Sequence, residues 1–220
     1  MIRAILFDFD GTILDTEDAE YQTWQEVYRE YGQELALARW SQVVGTAGNL
    51  FDPVRYLEQL TGRSLPRDEI RRRRSARDRT LTDAMDARPG VRSLIAQAQS
   101  HGIRLGIASS SGHEWVERHL RRLGLLDAFE AISCADDTGK GKPDPAVYLL
   151  ALERLGCAAA EAVAVEDSPN GALAADRASV ACIVVPNAVT RSFAFPKTAV
   201  RRDTLEGVTL DELVALLAAG

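Results

Sequence analysis

Five short apolar runs constrain the fold of this chain more than any other feature of its sequence. The runs are IRAILF (2–7), IRLGIAS (103–109), FEAISC (129–134), AVAVE (162–166) and ACIVVP (181–186). Between the later runs lie segments with the apolar period of amphipathic helices. Buried strands that alternate with helices are typical of a parallel sheet covered on both faces. The sequence therefore predicts an α/β fold with a Rossmann-like, doubly wound parallel sheet.

Residues 16–86 interrupt this alternation, because they contain helical patterns and no convincing strand. In sheets of this kind, ligands bind at the carboxyl ends of the strands. We therefore expect the inserted block to form a helical cap over that edge. The predicted division is a catalytic core of residues 1–15 and 87–220 and a cap of residues 16–86, with Asp15–Thr16 as one hinge.

The composition limits the classes of partner. The chain of 220 residues carries a formal net charge of -6, so it has little non-specific attraction for nucleic acid or anionic lipid. No apolar stretch approaches the length of a membrane span, and the amino terminus lacks a signal-peptide pattern. We expect a cytoplasmic monomer or weak dimer that binds a small molecule, with no nucleic-acid or membrane partner.

The three cysteines, Cys134, Cys157 and Cys182, lie far apart in the sequence. They form no C-x-x-C or Cys/His pattern, so neither a disulfide framework nor a zinc site is indicated. We expect them to be small core residues.

Two carboxylates stand at the end of the first apolar run, in the string DFDGT. Asp8 and Asp10 are one residue apart, and Gly11 lets the backbone turn away. Neighbouring carboxylates repel each other unless a cation lies between them or one holds a proton. A hard divalent ion such as Mg²⁺ would relieve that repulsion and neutralise an incoming phosphate. For this pair alone, a solvated acidic turn is the alternative.

Three further polar segments point to the same edge of the sheet. Ser109 and Ser110 end a run before a helix, where they could bind phosphate or merely cap the helix. Lys142 precedes a proline that fixes its backbone, although a lone lysine is usually solvated. Glu166 and Asp167 end a run and could complete a metal site or cap the next helix. Each motif by itself could be an ordinary turn, helix cap or surface residue. All of these ordinary explanations would have to be true at once, so a shared phosphate and metal site is favoured.

These strings resemble the motifs of the haloacid-dehalogenase-like phosphohydrolase superfamily. FDFDGTILDT, GIASSSG, KGKPDP and VAVEDSPNGALAA follow one another in the family's order. The resemblance covers the whole chain and points to the β-phosphoglucomutase-like and phosphoglycolate-phosphatase-like subgroup. It implies a Mg²⁺-dependent phosphatase acting on a small organophosphate, with a sugar phosphate favoured. Asp8 would be the nucleophile that forms an aspartyl phosphate, and Asp10 the general acid and base.

The resemblance also implies roles for the other motif residues. Ser109 and Lys142 would hold the phosphoryl oxygens, together with backbone N–H groups near Phe9 and Ser110. The implied metal ligands are Asp8, Asp10 through its carbonyl, and Asp167, with Glu166 behind them.

The cap bears on the choice between hydrolysis and transfer. The β-phosphoglucomutase branch has a cap histidine after the hinge and a cap arginine that grips a second phosphate. Here Glu20 stands at the histidine position and Gly48 near the arginine position. Both departures favour a hydrolase over a phosphomutase. A non-catalytic binding protein on this scaffold is a second alternative, although it predicts damage to the catalytic motifs, which are intact.

The predicted substrate contacts from the cap are Thr16, Glu20, Gly48 and Arg55. The run Arg71–Arg74 is interpreted as a solvated helix face, since consecutive helical residues point about 100° apart. Asp68 and Glu69 would pair with Arg72 and Arg73 one turn later. His101, His113 and His119 are expected at the surface or at helix ends, and Trp24 and Trp40 in cap packing.

Overall fold

A computed structural model describes residues 2–40 and 51–218 of the chain. Its centre is a six-stranded sheet in which every neighbouring pair is parallel. The strands are β1 (Ala4–Phe7), β2 (Arg104–Ala108), β3 (Ala131–Ser133), β4 (Ala162–Glu166), β5 (Ala181–Val184) and β6 (Val200–Arg201). The predicted Rossmann-like α/β fold and its five strands are confirmed. The sixth strand has two residues, too few for a periodic pattern to reveal it.

The strand order is β3-β2-β1-β4-β5-β6, so the chain reverses direction across the sheet between β1 and β4. In doubly wound sheets, ligands bind in the crevice outside the carboxyl ends of the strands at this switch point. Asp8 follows β1 directly and Glu166 is the last residue of β4. The topology therefore brings two sequence-distant acids to one place.

The described part of the chain contains ten α-helices. They are α1 (Thr16–Glu30), α2 (Leu37–Trp40), α3 (Pro53–Thr61), α4 (Arg67–Ala84), α5 (Val91–Ser100), α6 (His113–Arg122), α7 (Ala135–Thr138), α8 (Ala146–Leu155), α9 (Pro169–Arg177) and α10 (Leu210–Ala218). None of these helices is both long and apolar enough to cross a membrane.

Both faces of the sheet are buried, as the continuous apolar runs predict. Ile5 and Phe7 of β1 point to a cluster shared with α5, α6 and α10, and Leu6 points to a cluster shared with α8 and α9. Fully burying a side chain of this size contributes about 1.5–3 kcal/mol. Cys134 and Cys182 are buried in these clusters as expected, and Cys157 is partly buried.

Helices α1 to α4 lie between β1 and α5 and form most of a third hydrophobic cluster, which Val189 after β5 also joins. Trp24 and Trp40 are both in it, together with Tyr28 and Leu57, so the predicted packing role of the two tryptophans is confirmed. The described parts of the insertion, 16–40 and 51–86, contain helices and no strand.

The arginines of α4 join helices to one another. Arg73 pairs with Glu30 of α1 at 2.7 Å, and Arg77 pairs with Glu26 of α1 at 3.0 Å. The predicted partner of Arg73, Glu69, is therefore wrong, because an acid on the neighbouring helix lies closer than one a turn away. Arg71 likewise reaches Asp52, whose side chain also accepts from backbone N–H groups at the start of α3. Exposed pairs of this kind contribute about 0–1 kcal/mol each.

Candidate active site

Lys142 lies at the centre of a buried charge cluster. Its Nζ atom is 2.5 Å from Asp8 Oδ1 and 2.6 Å from Glu166 Oε1. Burial alone would lower the pKa of Lys142, but the two carboxylates outweigh it and raise that pKa. Lys142 therefore carries its positive charge beside Asp8. The expectation that the proline motif holds this lysine in the site, rather than in water, agrees with its 5% exposure.

Glu166 is held by protein donors on both of its oxygens. Oε1 accepts from Lys142 and from the Tyr148 hydroxyl at 2.6 Å, and Oε2 accepts from the backbone N–H of Asp167 at 3.3 Å. A side chain at position 171 would collide with this carboxylate, so Gly171 is required for its close approach. Glu166 therefore orients Lys142, in keeping with the predicted place behind the metal ligands.

Asp167 lies beside these residues with only partial compensation of its charge. Asn187 donates to Oδ2 of Asp167 at 2.8 Å. Burial, and then the charges of Asp8 and Glu166, raise the pKa of Asp167 well above its usual value. Gly11 has φ = +78°, and a Cβ there would meet the Asp167 carboxylate. The turn after β1 thus needs glycine for its backbone conformation and for space.

Asp8, Glu166 and Asp167 can present ligand oxygens within 4.8 Å of one another. Three buried carboxylates against one lysine leave an excess of negative charge. An all-oxygen donor set of this kind fits a hard divalent cation. The residues present could therefore hold a metal ion, as the sequence predicts.

Asp10 is held apart from this cluster by three donors. Its Oδ1 accepts from the Thr16 hydroxyl at 3.0 Å and from Trp115 Nε1 at 2.9 Å, and its Oδ2 accepts from Ser111 at 2.6 Å. Burial raises the pKa of Asp10, and the Ser111 hydrogen bond opposes that shift. A carboxyl group with a raised pKa is suited to hold and release a proton.

The serine loop after β2 has its three hydroxyls in different places. Ser109 is fully buried, and its Oγ accepts from the backbone N–H of Ser111 at 3.0 Å. Ser110 accepts from the backbone N–H of Lys142 at 3.0 Å and lines the cavity described below, as does Ser111. The Phe9 side chain is fully buried in the core, so only its backbone can serve a substrate.

A cavity of about 550 Å³ opens over these groups, a volume suited to a small molecule. Its described lining from the core is Asp8, Asp10, Ser110, Ser111, Trp115, Ala135, Gly141, Lys142, Asp167, Ser168 and Asn170. From the insertion it is Thr16, Glu17, Glu20 and Asp78. Two predicted cap contacts, Thr16 and Glu20, are therefore brought to the cavity.

The other two predicted cap contacts are not brought to this cavity. Arg55 is exposed and lies in a separate groove with Glu58 and Arg67. Its expected role in substrate contact is therefore not supported, because it lies at the start of α3 and faces outward. Gly48 lies outside the described residues.

A model of the haloacid dehalogenase-like hydrolase family matches residues 5–185 of the chain. The chain belongs to this family. The predicted family, inferred from four short motifs, is thereby confirmed, and so is the subgroup at the level of its relatives.

Two relatives of this hydrolase carry phosphatase names. The chain is 46% identical over 195 residues to "Putative phosphatase YhcW" of Bacillus subtilis (strain 168), covering 89% of this chain and 88% of that protein. It is 30% identical over 179 residues to a "Phosphorylated carbohydrates phosphatase" of Thermotoga maritima, covering 81% and 82%. The expectation of a phosphatase is confirmed at the level of enzyme class.

A crystal structure of CbbY from Rhodobacter sphaeroides with xylulose-(1,5)bisphosphate is also similar to this hydrolase. Sequence identity is 30%, the TM-score is 0.72, and the match covers 94% of this chain and 96% of that one.

Sequence reasoning missed five residues that the structure adds to the site of this hydrolase. Asn187 comes soon after β5, so the rule that polar residues at strand ends meet could have found it. Glu17 and Ser111 adjoin motif residues that were assigned. Trp115 and Tyr148 lie inside helices α6 and α8, where no sequence pattern distinguishes a site residue from a packing residue.

One histidine prediction holds only in part, because His119 lies in the last turn of α6 but not at the surface. His119 is fully buried, with its ring against those of Trp115 and Phe9. Its position on α6 places it on the core-facing side of the helix beside Val116 and Leu120.

Proposed function

We propose that this protein is a Mg²⁺-dependent phosphatase that hydrolyses a small sugar phosphate through an aspartyl phosphate on Asp8. The observation that carries the proposal is the pair of carboxylates on one cavity in different environments. Asp8 is bound to Lys142, and Asp10 lies among Thr16, Ser111 and Trp115. Two carboxyl groups in different surroundings can divide nucleophilic and proton-transfer roles between them.

In the proposed reaction, an oxygen of Asp8 attacks the phosphorus in line and the alcohol leaves. Asp10 gives a proton to the departing oxygen, then takes one from the water that hydrolyses the aspartyl phosphate. Lys142 keeps its charge near the transferring phosphoryl group, where fixed positive charge stabilises the transition state. Ser109 and the backbone N–H groups near Phe9 and Ser110 would hold the remaining oxygens.

Asp8, the Asp10 carbonyl and Asp167 would hold Mg²⁺, with Glu166 orienting Lys142 behind them. The ion would neutralise phosphate charge and position the phosphoryl group. Support comes from the oxygen-only cluster and from the pKa of Asp167, which burial raises first and the charges of Asp8 and Glu166 raise further. Within this scheme the helices α1 to α4 act as the cap, with the predicted boundaries 16–86.

The sugar phosphate assignment rests on the cavity and on a relative. The cavity of about 550 Å³ has a polar lining at both ends. The Thermotoga maritima relative is named for phosphorylated carbohydrates. Hydrolysis is favoured over phosphoryl transfer to a sugar because Glu20, not a histidine, lines the cavity beyond the hinge.

The test is a phosphate-release assay with Mg²⁺ over sugar phosphates, phosphoglycolate, nucleotides and pyrophosphate. Asp8→Asn should lower kcat by at least about 10⁴-fold, since it removes the nucleophile. Asp127→Asn, at an exposed acid, is the matched control and should behave as wild type. Glucose 6-phosphate formed from β-glucose 1-phosphate without free phosphate would instead establish a mutase. Phosphate release that survives in Asp8→Asn would refute the role of Asp8.

A further inference from the structure

The two ends of the cavity differ in charge. Among the described residues that line it, Lys142 is the single cationic side chain, and it lies at the phosphoryl end against Asp8 and Glu166. The insertion contributes three carboxyl groups instead, from Glu17, Glu20 and Asp78. The part of a substrate that projects away from Asp8 therefore meets acids.

Arg74 contacts this acidic end, and it is already engaged. Its Nη1 atom is 3.2 Å from Glu20 Oε1, and its guanidinium lies 5.2 Å from the ring centre of Trp24. The Arg74 side chain is 14% exposed, whereas that of its partner Glu20 is 42% exposed. Glu20 lines the cavity and Arg74 does not, so a ligand meets the carboxylate that already pairs with the Arg74 guanidinium.

The undescribed part of the insertion cannot supply another basic group. Residues 41–50 read SQVVGTAGNL and contain no lysine or arginine. This follows from the sequence and does not depend on how the segment is arranged.

The acids of the cap end have spare hydrogen-bonding capacity. Oδ1 of Asp78 is buried and has no hydrogen-bond partner among the described residues. Burial, and then the charges of Glu20 and Asp10, raise the pKa of Glu17 to about 8. A buried acceptor without a donor is costly unless a ligand supplies one. Hydroxyl groups are suitable donors, whereas a second phosphate would add negative charge where burial and the neighbouring acids already disfavour it.

We propose that the cap end of this cavity selects a hydroxyl-rich monophosphate, a sugar or polyol ester, and rejects a bisphosphate. Glu20 and Asp78 are the specificity-determining residues: they accept hydrogen bonds from substrate hydroxyls, and Glu20 also keeps Arg74 away from anions. This inference rests on the proposed phosphatase function. It separates the chain from CbbY, whose crystal structure holds xylulose-(1,5)bisphosphate.

The experiment compares matched substrates with wild-type protein and Mg²⁺. Fructose 6-phosphate should have a kcat/KM at least about tenfold above that of fructose 1,6-bisphosphate, because like charges in a confined site are excluded. Sorbitol 6-phosphate should exceed hexyl phosphate, which has the same chain length and no hydroxyl groups. Equal or better turnover of the bisphosphate, or of hexyl phosphate, would overturn the proposal.

Variants then test the named residues. Glu20→Gln should lower the ratio of kcat/KM for fructose 6-phosphate to that for fructose 1,6-bisphosphate about tenfold, because it frees Arg74 for an anion. Asp78→Asn should lower the ratio of kcat/KM for sorbitol 6-phosphate to that for hexyl phosphate. Glu26→Gln is the matched control, since Glu26 pairs with Arg77 between the same two helices but does not line the cavity. Ratios that change as much in Glu26→Gln as in Glu20→Gln would refute the assignment.

Binding measured on Asp8→Asn by calorimetry keeps this inference separate from the proposed function. If wild type releases phosphate from no ester yet Asp8→Asn binds fructose 6-phosphate above fructose 1,6-bisphosphate, the specificity stands and the hydrolase proposal fails. If phosphate is released but the two ligands bind equally, the specificity fails alone.

Discussion

The phosphoryl end of the cavity and the cap end are built from different kinds of structure. The phosphoryl end is formed by residues at strand ends and their turns, such as Asp8, Glu166 and Asp167, and its charges are buried in direct contact with Lys142. The cap end is formed by side chains of two helices, α1 and α4, and its charges are partly exposed.

This difference separates chemistry from recognition. A parallel sheet fixes the strand ends rigidly, so groups there can hold the precise geometry that phosphoryl transfer needs. Side chains on the facing surfaces of two helices can be substituted without disturbing the sheet. Substitutions at the phosphoryl end should therefore affect catalysis and stability strongly, and those at the cap end should change selectivity.

The largest effect is expected for Lys142→Met. It leaves the carboxylates of Asp8 and Glu166 buried without their cation, which typically costs about 3–5 kcal/mol of unfolding free energy. It should also lower kcat by about 10³-fold, as the loss of a preorganised positive group does. Urea titration and steady-state kinetics measure the two effects. Lys140→Met, at an exposed lysine paired with Asp144, is the control and should change neither quantity appreciably.

A smaller effect on stability is expected from the buried His119. Burial, and then the charges of Arg118 and Arg122, lower its pKa to about 4, whereas Asp83 acts in the opposite sense. In the unfolded chain the histidine pKa is near 6.5. Between pH 4 and 6.5 the unfolded chain therefore binds a proton at His119, whereas the folded protein does not. The unfolding free energy should therefore fall by about 2 kcal/mol from this residue as the pH drops from 7 to 4.5.

Denaturant titrations of wild type and His119→Phe at these two pH values test that prediction. The variant should lose less stability on acidification. His119 Nδ1 has no partner among the described residues, and Arg118, which contacts Nε2 at 3.2 Å, keeps its pair with Asp83. The change to Phe should therefore be mild at pH 7. The exposed His101 provides the control His101→Gln. An unchanged pH slope in His119→Phe would show that the histidine is not the group responsible.

The smallest effect is expected for Trp115→Phe. It keeps an aromatic ring against His119 but removes the N–H that binds Asp10 Oδ1. Trp115 would thus position Asp10, the proposed proton-transfer group. The kcat for an alkyl phosphate should fall about tenfold, and that for p-nitrophenyl phosphate should change little, because a good leaving group needs no proton. Equal losses with both substrates would indicate general damage instead.

The sheet could be predicted from the sequence because a strand buried on both faces needs a continuous apolar run. The exception, β6, is too short to leave such a pattern. The inserted helices could be predicted because they interrupt the alternation of such runs with helices. The residues of the proposed catalytic cluster could also be picked out, since Asp8, Lys142 and Asp167 each belong to a local string with restricted backbone. The positions of Trp115, Tyr148 and the buried His119 could not be predicted from the sequence. All three lie within helices, where the environment of a side chain depends on which other elements pack against it.

By itself, the sequence determined the α/β class, the family, the inserted helices and the acids at the strand ends, because each depends on local pattern and on a general rule of sheet topology. Only the tertiary structure decided that Arg74 is neutralised by Glu20, that Arg73 pairs with Glu30, and that Arg55 faces away from the cavity. The physical reason is that pairing between helices depends on their relative rotation and depth of packing. The rotation and packing depth of these helices are set by the buried cluster that they share. A short stretch of sequence carries no information about either.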